Sequence, residues 1–145
     1  MTEAHSFLKA QAVDIARLWL RTPYHHQASV RGVGCDCLGL LRGIWRDLYG
    51  SEPEALPAYS PDWGQVGRVE TLLDAAERHM LPVPLAEAGP GDVVVFRMRG
   101  GAIAKHCGIL SGNGRMVHAQ ENAGVVEVDY SGAWHRRAVA AFAFP

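Results

Sequence analysis

Apolar positions follow two regimes along the chain. Leu8, Ala12, Ile15 and Trp19 recur at steps of 4, 3 and 4, the stripe of an amphipathic helix. Thr22-Pro23 ends it, because proline disfavours helical backbone in the residue before it. Residues 22–35, punctuated by Gly32 and Gly34, read as a loop. A second helix opens at Asp36, a residue suited to cap the unpaired N–H groups of a first turn. It carries Leu41, Ile44 and Leu48 inward and stops at Tyr49-Gly50. Pro53, Pro57 and Pro61 mark 51–62 as a surface connection. Val66, Val69, Leu73, Ala76 and Met80 then predict a third helix, closed by Pro82 and Pro84.

From Gly91 the period shortens. Val93–Phe96 is a continuous apolar run, as in a strand covered on both faces. Cys107–Leu110 and Met116–Ala119 flank a Gly-Asn-Gly turn, and Val125–Val128 and Val139–Phe144 complete a small antiparallel sheet. Helices first and strands later predict an α+β fold, with N-terminal helices packed on that sheet. A length of 145 residues without repeats or low-complexity tracts predicts a single domain over 1–145.

Composition narrows the function classes. Lys and Arg number 14 against 15 Asp and Glu, a balance that argues against nucleic acid as partner. No apolar run approaches the ~20 residues of a membrane-inserted helix. The start, Met1-Thr2-Glu3-Ala4-His5, lacks the basic, apolar, small-residue order of a signal peptide, so synthesis in the cytoplasm without export is expected. Three cysteines exclude a fully paired disulfide framework within one chain.

One cysteine stands in a special place. With Asp36 as the cap, Cys37 is the first helical residue, where unpaired N–H groups and the helix dipole favour a thiolate. Cys35 lies in the preceding loop. Most free cysteines are inert packing, but two histidines alter the balance. A hairpin turning through Gly112-Asn113-Gly114, with Ser111 paired to Arg115, sets Gly108 opposite His118 and places His106 on the same face. A two-residue turn at Asn113-Gly114 would put the histidines on opposite faces. The space that Gly108 leaves beside the ring favours the first arrangement. Cys37, His106 and His118 then fit the roles of nucleophile, base and orienting group. His25 and His26 are placed to line a cleft, while His5, His79 and His135 read as surface residues.

Five short motifs carry a resemblance. Thr22-Pro23-Tyr24, Asp36-Cys37-x-Gly39, Gly91-Asp92-Val93-Val94-x-Phe96, His106-x-Gly108-Ile109 and Val117-His118-Ala119 together resemble the NlpC family, papain-like cysteine endopeptidases of bacterial cell walls. The match spans about residues 12 to 145. The run from Gly32 to Gly43 resembles the phage tail branch, which includes gene-transfer-agent peptidases. The resemblance implies a papain-like fold with Cys37 as nucleophile, His106 as general base and His118 as its orienting partner, in a cleft roofed by the 22–35 loop. It implies that Tyr24 and the backbone N–H of Cys37 stabilise the oxyanion. Asp36 matches a position that in some members meets the free amine of a peptidoglycan stem peptide. The family cleaves amide bonds involving γ-D-glutamyl and diaminopimelate residues and uses no cofactor or metal.

The implied partners are stem peptides and phage-like tail or hub proteins, in a particle acting at the periplasm or wall of a target cell. Two departures touch substrate contacts and spare the three catalytic candidates. Leu38 stands where the family usually has serine, and His25-His26-Gln27 replaces Trp-Gly-Gly after the tyrosine. Two alternatives compete. Cys35, Cys37, Cys107, His106 and His118 offer zinc ligands, opposed by the short Cys-x-Cys spacing and by the opposite facing of His106 and Cys107 on one strand. A non-catalytic tail component that retains the peptidase fold is the other.

Overall fold

A computed structural model describes residues 3–53, 71–98 and 106–145. Among these residues four α-helices, α1 (Glu3–Leu18), α2 (Cys37–Tyr49), α3 (Thr71–His79) and α4 (Ala133–Arg137), accompany eight strands. Strands β1 (Ser29–Val30) and β2 (Gly34–Cys35) form a small hairpin. The others are β3 (Leu81–Val83), β4 (Val93–Phe96), β5 (His106–Gly112), β6 (Arg115–Gln120), β7 (Gly124–Asp129) and β8 (Ala138–Ala143). They make one antiparallel sheet in the order β3-β8-β4-β5-β6-β7. The α+β reading with an antiparallel sheet therefore holds.

The α1 and α2 helices cover one face of the sheet. Ala12, Ala16, Trp19, Leu40 and Ile44 pack there against Val93, Val95, Cys107, Ile109 and Val117. The opposite face buries Val94, Phe96, Leu110 and Met116 beneath Tyr130 and Trp134. Both faces of β4 are thus dry, the physical reason for its unbroken apolar run. An ion pair between Lys9 and the buried Asp92 ties α1 to the start of β4, and Asp92 also accepts from the Gly89 N–H at 2.9 Å.

Several sequence expectations shift in detail. The α1 helix ends at Leu18, before Thr22-Pro23, and Arg21 takes a left-handed φ of 74° in the turn that follows. In α3, Leu72 is buried deeper than the expected Leu73, together with Ala76 and Met80. Pro82 lies inside strand β3 instead of merely closing a helix; a proline fits there because β3 is a sheet edge. The expected connection over 51–62 beyond Pro53, and Val66 and Val69, lie outside the described residues.

The β5–β6 hairpin reaches the expected register by an unexpected route. Its turn has two residues, Asn113 and Gly114, with φ of 56° and 69°, and Gly112 rather than Ser111 faces Arg115. A bulge between Leu110 and Gly112 absorbs the extra residue, after which Leu110 pairs with Met116 and Ile109 with Val117. Continuing that ladder sets Gly108 opposite His118, so the two histidines share a face.

Candidate active site

The site begins with the cap of α2. Asp36 has extended backbone (φ −101°, ψ −172°), and its Oδ1 accepts the Gly39 N–H at 2.7 Å. Its Oδ2 accepts the Gln27 N–H at 2.8 Å, so one buried carboxylate holds both the helix start and the preceding loop. Loop and helix touch closely: a Cβ on Gly39 would lie 1.9 Å from the Ala28 carbonyl oxygen. The Ser29 hydroxyl donates to the Gly39 carbonyl at 2.6 Å, and Arg46 donates to the Ser29 carbonyl at 2.6 Å. These contacts fix Cys37 as the first residue of α2, as the sequence predicted.

The 22–35 segment supplies one wall of the cleft. Cys35 donates its N–H to the Pro23 carbonyl, and its own carbonyl accepts the His25 N–H, both at 3.0 Å, which draws Tyr24 alongside Cys35 and into the cleft that Cys37 lines. Burial, reinforced by the negative charges of Cys37 and Asp36, raises the Tyr24 pKa well above 10. The phenol therefore stays protonated and able to donate. His26 also lines this wall, with Nδ1 3.8 Å from Asp36 Oδ2, whereas His25 is exposed.

The sheet supplies the other wall. His106, at the start of β5, reaches the Cys37 sulfur with a hydrogen bond, and its Nε2 lies 2.9 Å from Nδ1 of His118. His118 is fully buried, and burial together with neighbouring His106 lowers its pKa to about 4. It is therefore a neutral ring near pH 7. The space for that ring comes from Gly108, where a Cβ would stand 3.2 Å from the His118 Cβ. Hydrogen bonds from Cys107 and His106 outweigh burial and hold the Cys37 thiol down at about 5. Cys35, buried beside Asp36, is pushed up to about 12. Cysteines two residues apart thus differ in chemistry because only Cys37 is hydrogen-bonded by Cys107 and His106, whereas burial dominates at Cys35.

The resulting cleft encloses about 280 Å³ and is lined by Tyr24, Cys37, His106, His118, Glu121 and Trp134 among others. Tyr24, Asp36, Cys37, His106 and His118 therefore converge as expected from sequence. Trp134 was missed. It stacks on His106 at 5.6 Å with 28° between planes and meets His118 edge-on at 4.9 Å. It sits on α4, whose five residues are too few to give a helical period. Glu121, exposed at the cleft rim, was also missed. Leu38 points away from the chemistry and packs in the core beside an apolar depression between α2 and α3. His135 is exposed, whereas His5 and His79 are half-buried. Among the described residues, no three His, Cys, Asp or Glu side chains form a group able to hold a metal ion.

Known proteins share this arrangement of chain. The profile of the NlpC/P60 family matches residues 21–143. The Escherichia coli K12 protein Murein DD-endopeptidase MepS/Murein LD-carboxypeptidase is 27% identical over 119 residues, covering 82% of this chain and 53% of that protein. The structure of NlpC2 from Trichomonas vaginalis superposes with a TM-score of 0.68 at 17% identity, covering 99% of this chain and 48% of that one. The P60 domain of an antigen from M. avium subspecies paratuberculosis gives 0.64 at 16% identity, covering 97% and 96% of the two chains. The chain spans about half the length of the curated relatives it matches.

Proposed function

Because the chain belongs to the NlpC/P60 family, we propose that it is a cysteine peptidase that hydrolyses amide bonds in the stem peptides of bacterial peptidoglycan. The observation that carries this reading is the Cys37 thiol at a helix start, hydrogen-bonded to His106, whose Nε2 is 2.9 Å from Nδ1 of His118. The reaction follows from those positions. The Cys37 thiolate attacks the amide carbon, while the Tyr24 hydroxyl and the Cys37 backbone N–H stabilise the oxyanion. His106 gives its proton to the departing amine, leaving an acyl-enzyme thioester. Water, deprotonated by His106, then releases the acid and returns the Cys37 thiolate beside a protonated His106. His118 keeps the His106 ring aimed at the sulfur throughout.

The substrate class rests on the family and on the E. coli relative, which is named for its action on murein. Asp36 has both carboxylate oxygens engaged by backbone N–H groups, so in this reading it builds the site before it meets any substrate amine. The run Gly32–Gly43 supports assignment to a phage-like or gene-transfer-agent tail, with tail or hub proteins as partners and the wall of a target cell as the place of action. Purified protein incubated with isolated sacculi of several wall types tests the activity. Release of stem-peptide fragments by the wild type and none by Cys37→Ala is expected. Silence of the wild type on every wall would overturn it, and absence of the protein from purified tail particles would overturn the setting.

A further inference from the structure

Cys107 follows His106 in strand β5, and the alternation of the strand sends its side chain to the opposite face, into the core beneath α2. Its sulfur lies 3.5 Å from the Cys37 carbonyl oxygen, in the donating direction. The Cys107 thiol is buried, and its side chain is paired by a hydrogen bond with that of Cys37. One strand therefore offers the same cysteine two donors: an imidazole from the cleft side and a thiol from the core side.

We propose that Cys107 is a positioning residue for the nucleophile, whose S–H donates to the Cys37 sulfur in its ionised state and to the Cys37 carbonyl when that sulfur is protonated. The inference rests on Cys37 being the nucleophile. A hydrogen bond to the charged form favours that form. The contact with Cys37 and complete burial together hold Cys107 well above the ordinary thiol range, so its proton remains available for donation wherever Cys37 is ionised. No proton is lost or gained in the exchange, since the same S–H turns from oxygen to sulfur. An apolar residue of similar size would fill the space equally well, but it would leave the thiolate with its core side unsolvated, which is costly for a buried charge.

The test compares wild type, Cys107→Val and Cys107→Ser, with Cys37→Ser as the reference for assigning the signal. Thiolate ultraviolet absorbance and iodoacetamide alkylation of Cys37 are followed from about pH 4 to 8, and thermal melts verify folding. The wild type is expected to titrate at about 5. The valine variant should titrate at least about one unit higher and, near pH 5, alkylate about fivefold more slowly, the change in thiolate fraction that such a shift brings. Serine, which keeps a donor, should restore most of the difference. If valine fails to fold, Cys107→Ala takes its place against serine. Equal midpoints and equal alkylation rates in the valine (or alanine) and wild-type proteins would overturn the proposal. Both readouts use folded protein without substrate. A wild type inactive on peptidoglycan would therefore leave this inference standing, and an active one with an unmoved midpoint in the variant would overturn it alone.

Discussion

The Nε2 of His106 lies 2.9 Å from the Nδ1 of His118, and that contact sets the proton positions in both rings. With its Nδ1 reserved for the thiol proton in the proposed reaction, His106 donates from Nε2. His118 then accepts on Nδ1 and carries its own proton on Nε2. That Nε2 is buried and has no hydrogen-bond acceptor among the described residues. Beside the same ring stands the edge-on indole of Trp134 at 4.9 Å.

Replacing His118 should therefore damage turnover more than binding. His118→Ala leaves His106 without its orienting acceptor, and kcat on a stem-peptide substrate is expected to fall by roughly 10²-fold or more with KM little changed. His118→Asn, whose carbonyl can accept the same proton, should retain more activity than alanine. Steady-state kinetics of the three proteins decide it; equal kcat in wild type and alanine would remove His118 from the mechanism.

Selective alkylation separates the two neighbouring thiols. At neutral pH Cys37 is ionised, whereas Cys35 is fully buried and pushed up to about 12. Iodoacetamide should label Cys37 at least about tenfold faster than Cys35, read by mass spectrometry of peptides after timed quenching. Comparable rates would contradict the depressed Cys37 thiol.

Acid should loosen the fold through His118. Its pKa is about 4 in the folded protein against about 6.5 in an unfolded chain. Above about pH 6.5 the ring is neutral in both states and contributes no pH dependence. Between about pH 6.5 and 4 the unfolded state takes up the proton first, so stability falls with pH, by about 3 kcal/mol in all. The lowered Cys37 thiol acts in the same direction, its stabilisation being complete above the unfolded thiol's range and lost as pH falls through about 5. Denaturant midpoints across this range should show a shallower acid decline in His118→Asn than in wild type.

Gly39 is required by the loop that crosses α2. Alanine there would place its Cβ 1.9 Å from the Ala28 carbonyl oxygen, and that oxygen belongs to backbone with little freedom to retreat. Gly39→Ala is expected to lose about 1–3 kcal/mol and to displace Tyr24 and His26 from the cleft wall. Denaturation and activity measured together give the check: an unchanged melting temperature would refute the close packing.

Trp134 shields the two histidines. Its ring stacks on His106 and is braced by Phe96 at 5.1 Å. Trp134→Ala would admit water, so the His118 pKa should rise from about 4 toward the ordinary range, and kcat should fall by roughly tenfold. Trp134→Phe should keep part of both properties. Histidine titration by NMR reports the first effect and kinetics the second.

Local physics made much of the site readable from the chain. Asp36 as cap, Cys37 as first helical residue and Gly50 as left-handed stop are decided within a few residues, where backbone geometry and short hydrogen bonds dominate. The shared face of His106 and His118 was readable as a consequence, but its cause was not. The chain uses a two-residue turn and corrects the register with a bulge between Leu110 and Gly112, a balance between turn strain and ladder pairing that no residue spacing displays.

Contacts between distant segments were decided only by packing. Sequence places Cys107 beside His106 and on the opposite face of their strand, but only the seating of α2 on β5 brings its sulfur to the Cys37 carbonyl. Trp134 stands 28 residues beyond His106, on a helix too short to announce itself. What the sequence by itself determined is which reactive side chains the chain offers and which local geometry presents them. What only the tertiary structure decided is their environment: which face is dry, which proton is shared and which ring keeps water away. Those properties depend on the field and the burial at a point in space, and segments remote in the chain create both.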